Sequence, residues 1–223
     1  MIGYFTINVP DPARAATFYT AVFGWAYEST GDSRHIAGSS PAGGLTSGGP
    51  ATTPYFVVDD VAATAARARE LGGTATEPTR SRSGHSAEVA DGHGTRLAVW
   101  QPADGYRDDD PKCGEGDLFY FVQPVANDDA RTFWATLLNW RLTPGSHANG
   151  WNIDNVNPPG GVFVGAPGDT VLYFHVADVD ATAGKIRAAG GHAGPAQPNQ
   201  AGSHADCRDD QGIAFGIGSL HQK

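Results

Sequence analysis

GYFTINVPDPARAATFYTAVFGW, residues 3–25, decides how the rest of the chain is read. Residues 4–9 alternate, with Phe5, Ile7 and Val9 on one face and Tyr4, Thr6 and Asn8 on the other. A period of two predicts a strand whose apolar face meets a helix. Asp11 is placed to cap that helix, and Pro12 suits its first position, where an amide hydrogen would have no helical partner. Ala15, Phe18, Tyr19, Val22 and Phe23 recur at three- and four-residue spacing, which gives the helix one apolar stripe. Gly24 is placed to end it.

The same plan returns in DLFYFVQPVANDDARTFWATLLNW, residues 117–140, where Phe133-Trp134 answers Phe18-Tyr19 and Trp140 answers Trp25 at a shift of 115. A fainter copy runs from Tyr55-Phe56-Val57-Val58 through a helix capped by Asp60 and closed by Gly72-Gly73. Val171–Val176 and Asp178–Gly191 repeat it at a shift of 118. Short strands follow each copy, and the turns Asp91–Gly94 and Asp209–Gly212 precede the last ones. The chain therefore reads as four strand–helix–strand–strand–strand modules. One module leaves part of a sheet uncovered, so pairing is expected. PADGYRDDDPKCGEG, residues 102–116, is polar and rich in Asp, Gly and Pro, and reads as a linker between domains at 1–101 and 117–223.

The 223 residues are 40% hydrophobic and 17% charged, the composition of a folded chain. The net charge of −9 argues against a nucleic-acid surface, which needs clustered Lys and Arg. No apolar run reaches the ~18 residues of a membrane helix. The amino terminus enters a strand at once without a basic leader, so a cytoplasmic location is expected. Cys113 and Cys207 form no metal motif and are expected as reduced thiols. There is no nucleophile elbow, dinucleotide fingerprint or phosphate loop.

The opening strand running into PDPARAATFYTAVFGW, the units ending in Gly72-Gly73 and Gly190-Gly191, and the Asp-x-x-Gly turns together resemble the vicinal oxygen chelate superfamily. That superfamily includes glyoxalase I, bleomycin-resistance proteins and extradiol dioxygenases, and the resemblance spans the chain apart from the linker. It implies an α+β fold with four βαβββ modules paired into two eight-stranded open cups, helices outside and a ligand on the concave face. Strand parity then places Tyr4, Thr6, Asn8, Tyr55, Val57 and Asp59 inside the first cup, with Arg96 and Trp100 from its last strand. Phe119, Phe121, Gln123, Tyr173 and His175 are expected inside the second.

Metal-dependent relatives place His, Gln or Glu on four strand positions per cup. Those positions fall here at Tyr4 and Phe119, near Gly44–Ser47 and Gly161–Val164, near Thr53 and Val171, and at Ala98 and Gly216. None offers the usual donors, so no metal and no cofactor are expected. His175 is the histidine that parity aims into a cup, and the candidate for proton transfer. Asp59 and Glu88 are the carboxylates considered for the first cup. The expectation is a metal-independent binder of an aromatic or apolar small molecule. The alternative is a metal-free lyase, isomerase or cyclase, and a metal-dependent glyoxalase or dioxygenase is disfavoured. The resemblance also allows a homodimer; no membrane and no nucleic-acid partner are expected.

Overall fold

A computed structural model describes residues 1–30, 33–104, 113–199 and 201–221. In chain order the first half contains β1 (Ile2–Val9), α1 (Pro12–Phe23), β2 (Tyr27–Thr30), β3 (Ser33–Ile36), β4 (Ala42–Ser47), β5 (Ala51–Val57), α2 (Val61–Glu70), β6 (Thr74–Ala75), β7 (Thr79–Ser81), β8 (Gly84–Ala90) and β9 (Arg96–Pro102). The second half repeats the order with β10 (Leu118–Val125), α3 (Asp128–Leu137), β11 (Leu142–Pro144), β12 (Gly150–Ile153), β13 (Gly160–Val164), β14 (Val171–His175), α4 (Val179–Ala188), β15 (His192–Ala193), β16 (Gln197–Asn199), β17 (Gly202–Arg208) and β18 (Ala214–Leu220).

The strands form two sheets of the same order, β2-β3-β4-β1-β5-β9-β8-β6 and β11-β12-β13-β10-β14-β18-β17-β15. The fold is α+β with two cups, as expected. Each sheet has nine strands rather than eight, because β7 and β16 pair on β8 and β17 away from the main path. After α2, the short strand β6 holds two residues and is followed by the separate β7.

The helices start where the sequence places them. Asp11, Asp60, Asn127 and Asp178 each accept a hydrogen bond from a first-turn amide, at 2.9–3.0 Å. Such a cap is worth about 0.5–2 kcal/mol. Gly24 closes α1 in the left-handed region, at φ 73°, where a side chain would be strained.

By contacts the chain forms two compact units. One comprises Met1–Tyr4, Thr53–Asp109 and Phe121–Thr170; the other comprises Phe5–Thr52, Asp110–Tyr120 and Val171–Lys223. Each unit thus joins an inner or outer pair of modules around its own aromatic core. In the second unit Phe5, Tyr19, Phe23, Trp25, Phe174 and Phe215 surround one another, with ring centroids 5.0–6.4 Å apart. In the first, Phe56 packs edge-on against Phe121 and Trp140 at 5.6 and 5.4 Å.

A buried carboxylate anchors each core. Asp91 accepts from the His93 and Thr95 amides at 2.7 and 3.1 Å and from Trp134 Nε1 at 2.9 Å. Asp209 accepts from the Gln211 and Ile213 amides at 2.9 and 2.8 Å and from the Tyr19 hydroxyl at 3.1 Å. These are the turns read from the sequence as Asp-x-x-Gly.

The end of the expected linker is built into the second unit. Trp25 Nε1 donates to the Gly116 carbonyl at 3.1 Å, and the Ala177 amide donates to Glu115 Oε2 at 2.9 Å. The Asp108–Asp110 run lies outside the described residues.

Candidate functional site in the cups

The burial pattern of β1 settles which side chains face the cup. Phe5, Ile7 and Val9 are buried at 0–1% exposure, while Tyr4, Thr6 and Asn8 between them are half-buried, as the alternation predicts. Above Tyr4 the alternation slips. Ile2 is buried although it lies an odd number of residues from Phe5. A side chain at Gly3 would meet Val57 Cγ2 at 2.6 Å and the Trp100 ring at 2.8 Å, on the same face as Tyr4 and Tyr55. Two consecutive residues on one face is the behaviour of a β-bulge.

The same slip occurs in β10, where it corrects two expected site residues. Phe119 contacts His175 and Tyr120 contacts Tyr173, so these neighbours share the cup face. Phe121 consequently faces the core, fully buried against Phe56 and Trp140. Gln123 is also fully buried. Its Nε2 donates to the Pro124 carbonyl at 2.9 Å, and its Oε1 accepts from the Thr170 hydroxyl. Neither residue lines the cup. Tyr120 takes the place expected for Phe121. The parity expectation failed because LFYFVQP has almost no apolar–polar contrast to reveal a slipped phase.

Each unit then holds one pair of cup-facing tyrosines. In the first, Tyr4 and Tyr55 meet edge to face at 5.7 Å and 72°. In the second, Tyr120 and Tyr173 meet at 6.0 Å and 69°. Edge-to-face contact is the favoured geometry for aromatic pairs. Burial raises the pKa of Tyr4, and the Tyr55 phenol adds to it. Burial raises Tyr120 as well. Tyr173 is pushed well above the usual phenol range by burial, and further by its hydrogen bond to Asp206 and that carboxylate's charge. These phenols are neutral donors at physiological pH.

Across β14, β18 and β17 the residues line up in rungs. One rung is Tyr173, Gly216 and Asp206; the next is His175, Gly218 and His204. The middle column has no side chains. Tyr173 leans over Gly216 and donates its hydroxyl to Asp206 Oδ1 at 2.7 Å. A cavity of about 390 Å³ opens here, bordered by Tyr173, Asp206, Gln197 and Arg208. That is within the range of small-molecule sites. The glycine pair could have signalled this floor in the sequence; Tyr120, Asp206 and His204 could not be placed without the register.

The equivalent rungs of the first unit are filled. Tyr55 pairs with Ala98 and Glu88, and Val57 with Trp100 and Ser86. Trp100 is 6% exposed and lies over Gly3. Glu88 and Arg96 are exposed on their strands. Asp59 is exposed and borders a groove of about 360 Å³ beside α2 and the end of α3.

Among the described residues, no group of three or more His, Cys, Asp or Glu side chains is placed to hold a metal ion. The tyrosines, Ala98, Gly216 and Val171 do not form a divalent-metal donor set. Cys207 is buried, and burial followed by the Asp206 charge pushes its thiol up to about 12, so it is an inert core residue.

A glyoxalase-like domain model matches residues 4–100. The chain folds along 99% of its length on the Mn(II)-bound glyoxalase from Novosphingobium aromaticivorans, covering 82% of that chain at a TM-score of 0.76 and 17% identity. Residues 4–100 thus match a glyoxalase-like domain, and the whole chain shares the fold of that glyoxalase. Homoprotocatechuate 2,3-dioxygenase from Arthrobacter globiformis is similar over 98% of this chain and 79% of its own, at a TM-score of 0.73 and 17% identity. In sequence the chain is 26% identical over 95% of its length to "Putative glyoxylase CFP32" of Mycobacterium bovis, covering 91% of that protein.

Proposed function

We propose that the chain is a metal-independent binder of a flat aromatic or apolar small molecule, and that the cup face of the second unit is its site. The observation that carries this reading is the glycine column of Gly216 and Gly218, on which the Tyr173 and Phe119 rings rest, beside the cavity bordered by Tyr173 and Asp206. A flat ring gains stacking area against such walls, and the hydroxyl–carboxylate pair offers orientation. The first unit differs in its middle column, where Ala98 and Trp100 stand in place of the two glycines.

A second reading rests on His175. It lines the same floor and has a buried Nδ1 without a hydrogen-bond partner, the type of group that a metal-free lyase, isomerase or cyclase would use for proton transfer.

A thermal-shift screen with planar aromatic compounds tests binding, because a specific ligand raises the melting point by mass action. Product analysis of any hit then separates binding from turnover. The binding reading predicts hits whose effect is lost in Tyr173→Ala. It fails if no aromatic compound stabilises the protein, or if Tyr173→Ala responds like the wild type.

A further inference from the structure

His175 is held rigidly but its side chain is not satisfied. Its amide donates to the Asp117 carbonyl at 2.8 Å and its carbonyl accepts from the Gly116 amide at 2.8 Å, so the backbone is fixed at the end of β14. Its Nδ1 is sealed from solvent and has no hydrogen-bond partner. Such an atom carries a desolvation penalty unless something supplies a partner, and unmatched groups of this kind mark functional positions. His204, the other histidine on this rung, is already engaged: its Nδ1 lies 3.1 Å from Asn199 Nδ2.

The Phe119 ring lies over this rung. It meets His175 edge to face at 6.1 Å, and its Cζ lies 2.6 Å from where a Gly218 side chain would begin. An aromatic ring therefore rests on a glycine floor beside an unsatisfied imidazole. The first unit builds the same arrangement from the opposite strand, with Trp100 resting over Gly3. There the neighbour at the His175 position is Val57, which needs no partner. The ring seat is common to both units, and the polar anchor belongs to the second alone.

Resting on the binding reading above, we infer that Phe119 is a displaceable stand-in for the ligand's ring. The ligand is a hydroxylated aromatic whose ring takes the seat over Gly218 and whose hydroxyl pairs with His175 Nδ1. A phenol suits the site because its oxygen donates or accepts, and either can pair with an imidazole nitrogen. Phe119 touches both Gly218 and His175, so turning it out exposes floor and anchor together.

Phe119→Ala opens the seat without touching His175. With phenol and benzene as probes, the folded variant should bind phenol about tenfold more tightly than benzene, the size of one hydrogen bond to an otherwise unmatched buried group. Adding His175→Leu should remove that preference while benzene binding persists. In the wild type, phenol should shift the His175 imidazole nitrogen signals, a readout that remains if Phe119→Ala fails to fold. Equal binding of the two probes, a preference that survives His175→Leu, or unmoved His175 signals at saturating phenol would overturn the inference. If larger aromatics still stabilise the wild type through Tyr173 in those cases, only the role of Phe119 and His175 falls. If no aromatic binds at all, the binding reading falls with it.

Discussion

Tyr173 donates its hydroxyl to Asp206 at 2.7 Å across a strand position occupied by Gly216. The bond requires the glycine, because a side chain there would run into the Tyr173 ring. Gly216→Ala should therefore turn the ring off its floor. The expected result is at least a tenfold loss of aromatic-ligand affinity by calorimetry, with about 1–3 kcal/mol of destabilisation from overpacking. Tyr173→Phe keeps the wall and loses only the bond to an exposed carboxylate, so its stability should change by about 1 kcal/mol or less.

The two buried carboxylates give a matched pair of stability predictions. Trp134→Phe strands Asp91 Oδ2, and Tyr19→Phe strands Asp209 Oδ2, each inside its own unit. Either change should cost about 1–3 kcal/mol, since a buried acceptor loses its side-chain donor. Urea unfolding should show a lower midpoint with an unchanged slope. Asp91→Ala should cost more than Trp134→Phe, because two backbone amides also lose their acceptor.

Asp209 adds a pH dependence. Burial raises its pKa above the ordinary 3.8, against the opposing hydrogen bonds from Ile213, Gln211 and Tyr19. The folded state therefore holds its proton to higher pH than the unfolded chain. Its contribution to stability is complete below about 3.8 and is lost as pH rises through the raised value. Asp209→Asn cannot titrate, so unfolding free energy measured upward from pH 4 should fall less steeply in the variant. A parallel fall in both proteins would assign the slope to other groups.

The sequence shows most of the fold because its signals are local. Caps at Asp11, Asp60, Asn127 and Asp178, the aromatic stripes and the Asp-x-x-Gly turns each depend on residues within a few positions of one another. Which side chains share the cup face depends partly on something else. Tyr4, Tyr55, Tyr173 and His175 follow from simple alternation. Phe121 and Gln123 do not, because the phase slip beside Tyr120 depends on how β10 pairs with its neighbours, which no short pattern in LFYFVQP records. Gln123 also shows that a polar residue can occupy a core position once Thr170 and a backbone carbonyl satisfy it. The grouping of residues 5–52 with 171–223 in one compact unit is a tertiary fact of the same sort.

The central claim is that the second unit binds an aromatic molecule without a metal. It is tested most directly by elemental analysis of the purified protein combined with a thermal-shift titration of a planar phenolic ligand before and after exhaustive chelation. The account predicts far less than one transition-metal ion per chain and a ligand-induced rise in melting point that chelation leaves unchanged. One stoichiometric ion per chain, with a ligand response that chelation abolishes and the metal restores, would contradict it.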